Sequence, residues 1–245
     1  MDSPIRIAMW SGPRNISTAM MRSFEARGDS SVTDEPLYSH YLQETGKDHP
    51  MRDEIIATYD HDWRKVVDRL GGTVPNGKKI WYQKHMSHHL LPHIDREWIK
   101  NFHNCFLIRE PKEVLLSYIK KRESVSIEGL GYKQQSEIFE FIKNYTGEIP
   151  AVIDARDVLE DPRKILQLLC EHIGIDFTED MLKWKTGLRE TDGIWAKHWY
   201  DAVKETTSFE KYQQKTEELP PEFDSLLVDC REYYNTLWEV RLGRQ

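Results

Sequence analysis

Short apolar runs alternate with longer amphipathic stretches along the chain. In the longer stretches, apolar residues recur every three or four positions, which is the spacing of one helix face. The predicted strands lie at about 5–10, 31–33, 79–83, 105–108 and 151–153. The predicted helices cover about 19–24, 52–70, 111–122, 134–145, 162–172 and 222–242. Strands that alternate with helices indicate βαβ units, so we predict an α/β fold with a mainly parallel sheet flanked by helices.

The turn between the first strand and the first helix, residues 11–18, has the sequence Ser-Gly-Pro-Arg-Asn-Ile-Ser-Thr. A strand that turns sharply into a helix aims several backbone N–H groups at one point, with the helix dipole behind them. Arg14 adds a permanent cation, and Ser17 and Thr18 add hydroxyl donors. The turn therefore predicts a site for a phosphorylated ligand at the sheet edge. The alternative is an ordinary capped helix start with an exposed arginine.

The composition and charge of the chain limit the classes of protein to which it can belong. The chain has 245 residues, 39% hydrophobic and 31% charged, which suits one compact domain over residues 1–245. Its net charge of -7, from 34 basic and 41 acidic residues, argues against a general nucleic-acid-binding protein. No apolar run approaches the ~20 residues that span a bilayer. Any recognition of phosphate must therefore come from a local arrangement of cations.

The cysteines indicate the cellular compartment in which the protein is expected. Cys105, Cys170 and Cys230 are odd in number and widely spaced, so we expect buried free thiols. Free thiols, together with an N-terminus that lacks the pattern of a secretory signal, predict a cytoplasmic protein. No cysteine and histidine spacing is typical of a metal site, and we expect no metal.

The loop at residues 13–18 resembles the 5′-phosphosulfate-binding loop of PAPS-dependent sulfotransferases of the bacterial type, where PAPS is 3′-phosphoadenosine 5′-phosphosulfate. That loop is usually Pro-Lys-Ser/Gly-Gly-Thr-Thr/Ser. Arg14 stands in the place of its lysine, and Ile16 in the place of a glycine. A Walker A loop would instead end in Gly-Lys-Ser/Thr. The resemblance implies that the donor is held by Pro13, Arg14, Asn15, Ile16, Ser17 and Thr18.

A second segment, residues 106–118, resembles the 3′-phosphate segment of the same family, Arg-Asp-Pro-Arg-Asp-Val followed by a serine. The resemblance implies that Arg109 and Ser117 bind the 3′-phosphate. The alternative is an ion-paired corner arginine and a solvated helix serine. A third stretch, residues 158–175, resembles the family's C-terminal block and bears on the fold only. The family fold is a P-loop NTPase-like three-layer sandwich.

The resemblance implies sulfuryl transfer from PAPS to a hydroxyl of a small-molecule or carbohydrate acceptor, leaving 3′,5′-ADP. Fixed cations and N–H groups stabilise the charge that grows on the bridging oxygen, so no metal is required. An acceptor hydroxyl needs a base. Glu35, at the end of the second strand, is the first choice, and His85, after the third strand, is the rival. Lys84 would cover the sulfuryl oxygens. The alternative for all three is an ordinary polar or ion-paired strand end.

Two aromatic groups have less definite roles. The segment 195–209 would stack the adenine, line an acceptor pocket or pack in the core, and Tyr38, His40 and Tyr41 would line an acceptor site. His88 and His89 are predicted to lie on the surface of a helix. Acceptor-binding loops are expected at 36–52, 85–95 and 123–133.

Two rival functions remain at this stage. A kinase-like phosphoryl transferase would use ATP and magnesium, and a non-catalytic nucleotide-binding protein would bind 3′,5′-ADP without transfer. The acceptor and the oligomeric state are not readable from the sequence.

Overall fold

The computed structural model describes residues 4–120 and 125–244. Its centre is a five-stranded, fully parallel sheet with the strand order β2-β3-β1-β4-β5. The strands are β1 (Ile5–Ser11), β2 (Ser30–Asp34), β3 (Ile80–Met86), β4 (His103–Ile108) and β5 (Ala151–Asp154). All five predicted strands are confirmed, each with bounds shifted by a few residues.

Helices cover both faces of the sheet. In chain order they are α1 (Ser17–Ala26), α2 (Tyr38–Thr45), α3 (Arg52–Thr58), α4 (Trp63–Gly71), α5 (Pro111–Tyr118), α6 (Ile127–Leu130), α7 (Tyr132–Thr146), α8 (Ala155–Glu160), α9 (Pro162–Ile173), α10 (Ala196–Trp199) and α11 (Asp224–Trp238). Single 3₁₀ turns occur at Pro75–Gly77, Ser87–His89, Glu97–Asn101, Glu179–Leu182, Val203–Glu205 and Pro221–Phe223. This arrangement confirms the predicted fold class.

One helix predicted over 52–70 is wrong, because the structure has two. Tyr59 is extended, with φ of -110° and ψ of 150°, and ends α3. The side chain of Asp60 then accepts the Asp62 N–H at 3.0 Å, and the Asp62 side chain accepts the Arg64 N–H at 3.0 Å. Aspartates that bond nearby backbone groups compete with helix hydrogen bonds and favour caps. The apolar spacing continued through this break, so the periodicity did not reveal it.

The loop predicted at 123–133 is also wrong in part, and its residues 123–124 lie outside the described residues. Ser126 accepts the Gly129 N–H at 3.2 Å and starts the short helix α6, and α7 begins at Tyr132. Helix α5 ends at Tyr118 and residues 119–120 form a turn, whereas the last two residues of its predicted extent, 121–122, lie outside the described residues. The tail helix is shorter than predicted and ends at Trp238.

The core has two halves because successive side chains of β1 point to opposite faces of the sheet. Trp10 packs with Phe106 beneath α7 and α11, whereas Met9 packs with Leu107 beneath α1 and α9. All three cysteines are buried and free, as predicted. Within residues 4–120 and 125–244, no helix is long and apolar enough to cross a membrane. The described residues also contain no group of three or more His, Cys, Asp or Glu side chains placed to hold a metal ion.

Candidate active site

A cavity of about 1040 Å³ opens at the carboxyl ends of the strands. Ligands of open parallel sheets bind at this edge, beside the strand from which the connections run in opposite directions. In this sheet that strand is β1, which lies between β3 and β4. The cavity walls come from the turn after β1, the ends of β2 and β3, the residue after β4, the last turn of α5 and an irregular segment late in the chain. It therefore collects residues that are far apart in sequence.

The turn after β1 has an unusual backbone conformation that local hydrogen bonds hold in place. Arg14 has φ of 57°, in the left-handed region that non-glycine residues rarely adopt. The Asn15 side chain accepts the Ile16 N–H at 2.8 Å and donates to the Leu107 carbonyl at 3.1 Å, which fixes the turn against β4. Gly12 is required here, because an added Cβ would lie 2.7 Å from the Leu130 carbonyl oxygen.

All six residues of this loop line the cavity: Pro13, Arg14, Asn15, Ile16, Ser17 and Thr18. Helix α1 begins at Ser17 with no side-chain cap. The first N–H groups of a helix have no partner within it, so they are available to an anion in the cavity.

Arg14, Ser117 and Arg109 form one hydrogen-bonded group on the cavity wall. The Arg14 Nε donates to the Ser117 Oγ at 3.0 Å, and the Arg109 Nη1 donates to the Arg14 carbonyl at 3.0 Å. Burial and the neighbouring Arg109 charge both lower the pKa of Arg14. Two adjacent, partly desolvated guanidinium groups favour an anion between them. The residues expected to grip the two ends of one nucleotide thus share one site.

Arg109 is ion-paired, as the alternative interpretation of its segment expected, and its partner is Glu113, which the motif did not identify. Its Nε and Nη2 both donate to Glu113 Oε2, each at 3.0 Å. The other carboxylate oxygen accepts the Tyr212 hydroxyl at 2.6 Å, and the Glu113 carbonyl accepts Lys215 Nζ at 2.8 Å. Burial and the bond to Glu113 raise the pKa of Tyr212 to about 12. The spacing of four between Arg109 and Glu113 was a usable signal. No local pattern marked Tyr212 or Lys215.

At the other end of the cavity, Lys84 forms a buried ionic centre. Its Nζ donates to Asp34 at 2.8 Å, to Glu35 at 2.6 Å and to the Tyr200 hydroxyl at 2.7 Å. Burial alone would lower the pKa of Lys84, but the Asp34 and Glu35 carboxylates raise it well above its usual value. An ammonium has three N–H donors, and all three are taken. Lys84 therefore has no donor left for sulfuryl oxygens, contrary to expectation.

Of the two carboxylates that bond Lys84, Glu35 is the one that lines the cavity. Its φ of 38° turns the chain sharply out of β2, while its backbone N–H still donates to the Lys84 carbonyl at 2.9 Å. Its side chain is 13% exposed, compared with 1% for Asp34. Burial raises the pKa of Glu35, and the Lys84 charge opposes that shift. The result is a carboxylate with an elevated pKa at the cavity wall.

His85 is not brought to the cavity. Because side chains alternate along β3, it points to the face opposite Lys84 and stacks on Trp10 with ring centroids 4.5 Å apart. Its Nε2 is 3.2 Å from Gln83 Oε1, and burial lowers its pKa to about 3. The geometry therefore gives no support to His85 as the rival base.

The surface position predicted for His88 and His89 is wrong. Both lie in one 3₁₀ turn after β3, are buried and line the cavity. The His89 ring stacks between Tyr38 and Tyr41, at centroid distances of 4.8 and 4.6 Å. Its Nδ1 is 3.9 Å from Glu35 Oε2, and burial lowers its pKa well below the usual value. The rings of Tyr38 and Tyr41 shield this histidine from water.

The residues of the two aromatic groups divide between the cavity wall and the interior of the protein. Tyr38 lines the cavity, whereas His40 turns away to bond His93 Nε2 at 2.9 Å. In the late aromatic segment, Trp195 is buried in a hydrophobic cluster, while Trp199 lines the cavity. The core interpretation therefore holds for Trp195, and an acceptor-binding role for Tyr38 and Trp199 stays a prediction.

Comparison with known proteins identifies the family of the chain. The family model described as a sulfotransferase domain matches residues 5–239. Two Arabidopsis thaliana proteins, branched-chain-amino-acid aminotransferase-like proteins 2 and 1, are each 37% identical, over 232 and 238 residues, or 94% and 97% of this chain. The chain spans about two fifths of the length of these relatives, 41% and 42% respectively.

Three solved structures have the same fold. The sulfotransferase domain from the curacin biosynthetic pathway has a TM-score of 0.55 at 16% identity, covering 95% of this chain and 99% of that one. A sulfotransferase from Alicyclobacillus acidocaldarius has a TM-score of 0.56 at 12% identity, covering 98% and 97%. Mouse sulfotransferase SULT7A1, solved with PAP, has a TM-score of 0.50 at 12% identity, covering 96% and 86%. With its family match over nearly the whole chain and this shared P-loop-like fold, the chain belongs to the sulfotransferase domain family.

Proposed function

We propose that this protein transfers the sulfuryl group of PAPS to an acceptor hydroxyl and releases 3′,5′-ADP. The observation that carries the proposal is the hydrogen-bonded group of Arg14, Ser117 and Arg109 on the wall of one cavity. Membership of the sulfotransferase domain family supports it. We also propose that residues 1–245 act as one catalytic domain, which the match over 5–239 supports.

The loop of residues 13–18 would hold the 5′-phosphosulfate. Ser17 and Thr18 hydroxyls and the first amides of α1 would bind the 5′-phosphate, and the Arg14 guanidinium would contact the bridging oxygen. As the sulfuryl group leaves, charge grows on that oxygen, and a fixed cation already aimed there lowers the barrier. Arg109 and Ser117, which both bond Arg14, would bind the 3′-phosphate on the same wall of the cavity. The cations of the chain cover the charge, so the step needs no metal.

Glu35 would act as the base. The acceptor oxygen forms a bond to sulfur while the bond from sulfur to the bridging oxygen breaks, and the hydroxyl proton moves to Glu35. A carboxylate with an elevated pKa accepts a proton more readily than an ordinary one. Lys84 lies 2.6 Å from Glu35 and would hold it in place and keep it ionised. The acceptor would be a small molecule or a carbohydrate, bound among Tyr38, His89 and Trp199.

Calorimetry with 3′,5′-ADP and with ATP-Mg²⁺ tests this proposal. The wild type should bind 3′,5′-ADP more tightly, and Arg109→Ala should weaken that binding while leaving 5′-AMP binding nearly unchanged. A preference for ATP-Mg²⁺ would favour a kinase-like enzyme. Binding of 3′,5′-ADP without any release of it from PAPS, with hydroxyl acceptors or water present, would favour a non-catalytic protein.

A further inference from the structure

Glu113 makes more contacts at the nucleotide end of the cavity than an ordinary helix carboxylate. One of its oxygens takes two hydrogen bonds from Arg109, and the other takes one from Tyr212. Its backbone carbonyl takes another from Lys215. An exposed pair at this helical spacing contributes little and bonds only its partner. Glu113 is instead about nine tenths buried, with 9% exposure, and also bonds a segment almost one hundred residues later.

That segment is the strap, residues 209–219, which has no regular secondary structure and lies along the cavity from 209 to 217. Phe209 packs on Trp184 at one end, and Leu219 packs against the core at the other. Between them, over 210–218, every residue is exposed except Tyr212 and Lys215. These are the two residues that bond Glu113.

Other contacts of the strap are weaker. The Tyr212 ring lies 5.1 Å from the Arg156 guanidinium carbon, and Glu217 pairs with Lys120 at 3.0 Å. The side chains of that pair are 50% and 62% exposed, so water screens it. Glu113 is therefore the main attachment of the middle of the strap.

We propose that Glu113 is a positioning residue that couples recognition of the 3′-phosphate to docking of the strap. Its carboxylate holds one edge of the Arg109 guanidinium, and the Arg14 carbonyl holds Nη1. The remaining donors of Arg109 are then fixed for an anion in the cavity. The same carboxylate holds the strap against the site through Tyr212. This inference rests on the proposed 3′-phosphate site.

The test compares 3′,5′-ADP with 5′-AMP, which lacks the 3′-phosphate. The wild type should prefer 3′,5′-ADP, and Glu113→Gln should reduce the ratio of the two affinities on the order of tenfold, because the side chain that accepts both Arg109 hydrogen bonds loses its charge. Trypsin should cleave after Lys211 and Lys215 faster in this variant. Bound 3′,5′-ADP should slow cleavage in the wild type more than in Glu113→Gln.

Two further variants distinguish the loss of the strap contact from the loss of the charge that holds Arg109. Tyr212→Phe removes the hydrogen bond to Glu113, so it should speed strap cleavage. Because it keeps every charge, it should change the ratio of the 3′,5′-ADP and 5′-AMP affinities less than Glu113→Gln does. Glu217→Gln removes a strap carboxylate with an exposed partner and should resemble the wild type in both measurements. Thermal unfolding checks that each variant folds. If Glu113→Gln does not fold, faster strap cleavage in Tyr212→Phe than in the wild type would support docking of the strap by Glu113, and unchanged cleavage would refute it.

The outcomes are distinct. If the ratio of the 3′,5′-ADP affinity to the 5′-AMP affinity is unchanged or higher in Glu113→Gln, the carboxylate does not help Arg109 to bind the 3′-phosphate. That result would refute the coupling. Unchanged strap cleavage in both Glu113→Gln and Tyr212→Phe would refute it too. If the wild type itself does not prefer 3′,5′-ADP to 5′-AMP, the proposed function fails and this inference falls with it.

Discussion

Arg14 and Ser117 are 103 residues apart in sequence, and the Nε of one donates to the Oγ of the other at 3.0 Å. The bond joins the turn after β1 to the last turn of α5. Because β1 and β4 are neighbours in the sheet, the elements that follow them meet at the same edge. The two segments that resemble the family's two phosphate-binding motifs are therefore in direct contact.

Replacement of Arg14 should slow the chemical step more than it weakens nucleotide binding. Loss of a preorganised donor to a developing charge costs on the order of 3 kcal/mol of barrier, or more than a hundredfold in rate. We expect that loss in Arg14→Ala, measured as release of 3′,5′-ADP from PAPS. Arg14→Lys keeps the charge but loses the Nε bond to Ser117, so its rate should be intermediate. Equal rates for Arg14→Ala and the wild type would contradict the assigned role.

Replacement of Ser117 tests the same contact from the other side. In Ser117→Ala the Arg14 Nε loses its acceptor, and the proposed 3′-phosphate loses a hydroxyl donor. Loss of one such hydrogen bond costs about 1 kcal/mol, or roughly fivefold in affinity. Calorimetry should show this loss for 3′,5′-ADP and a smaller one for 5′-AMP. An equal loss for both nucleotides would place Ser117 away from the 3′-phosphate.

The sequence was sufficient for the strands and for this pair of motifs, because both are local patterns. It was not sufficient for the direction of individual side chains. Alternation along β3 requires Lys84 and His85 to point to opposite faces, but the face that carries the cavity depends on the crossovers of the whole sheet. Tyr212 could not be predicted at all, because the strap has neither helical nor strand periodicity and is placed by its contact with Glu113.

Activity should depend on pH through Glu35. A base must be ionised to accept a proton, and burial raises the pKa of this carboxyl above its usual value of 4.5. The rate of 3′,5′-ADP release should therefore fall as the pH drops through that raised pKa. Glu35→Gln should remove most activity, on the order of a hundredfold or more, with 3′,5′-ADP affinity retained. If Glu35→Gln keeps the wild-type rate and the same loss of activity at low pH, Glu35 is not the base.

Stability should fall in acid because of His85, which lies in the core and not in the active site. Its pKa is lowered by burial from 6.5 to about 3. Between these two values the unfolded chain binds a proton at His85 that the folded chain does not. The free energy of unfolding contributed by this group therefore decreases as the pH falls from 6.5 towards 3, at up to about 1.4 kcal/mol per pH unit.

Chemical unfolding of His85→Gln across this pH range measures that contribution. The variant loses the stacking on Trp10, so it should be less stable than the wild type at neutral pH. The difference should shrink on acidification, because glutamine takes no proton in either state. His198→Gln, at an exposed histidine, is the matched control and should follow the wild-type curve. A constant difference between His85→Gln and the wild type from pH 7 to 4 would show that His85 titrates alike in the folded and unfolded chains.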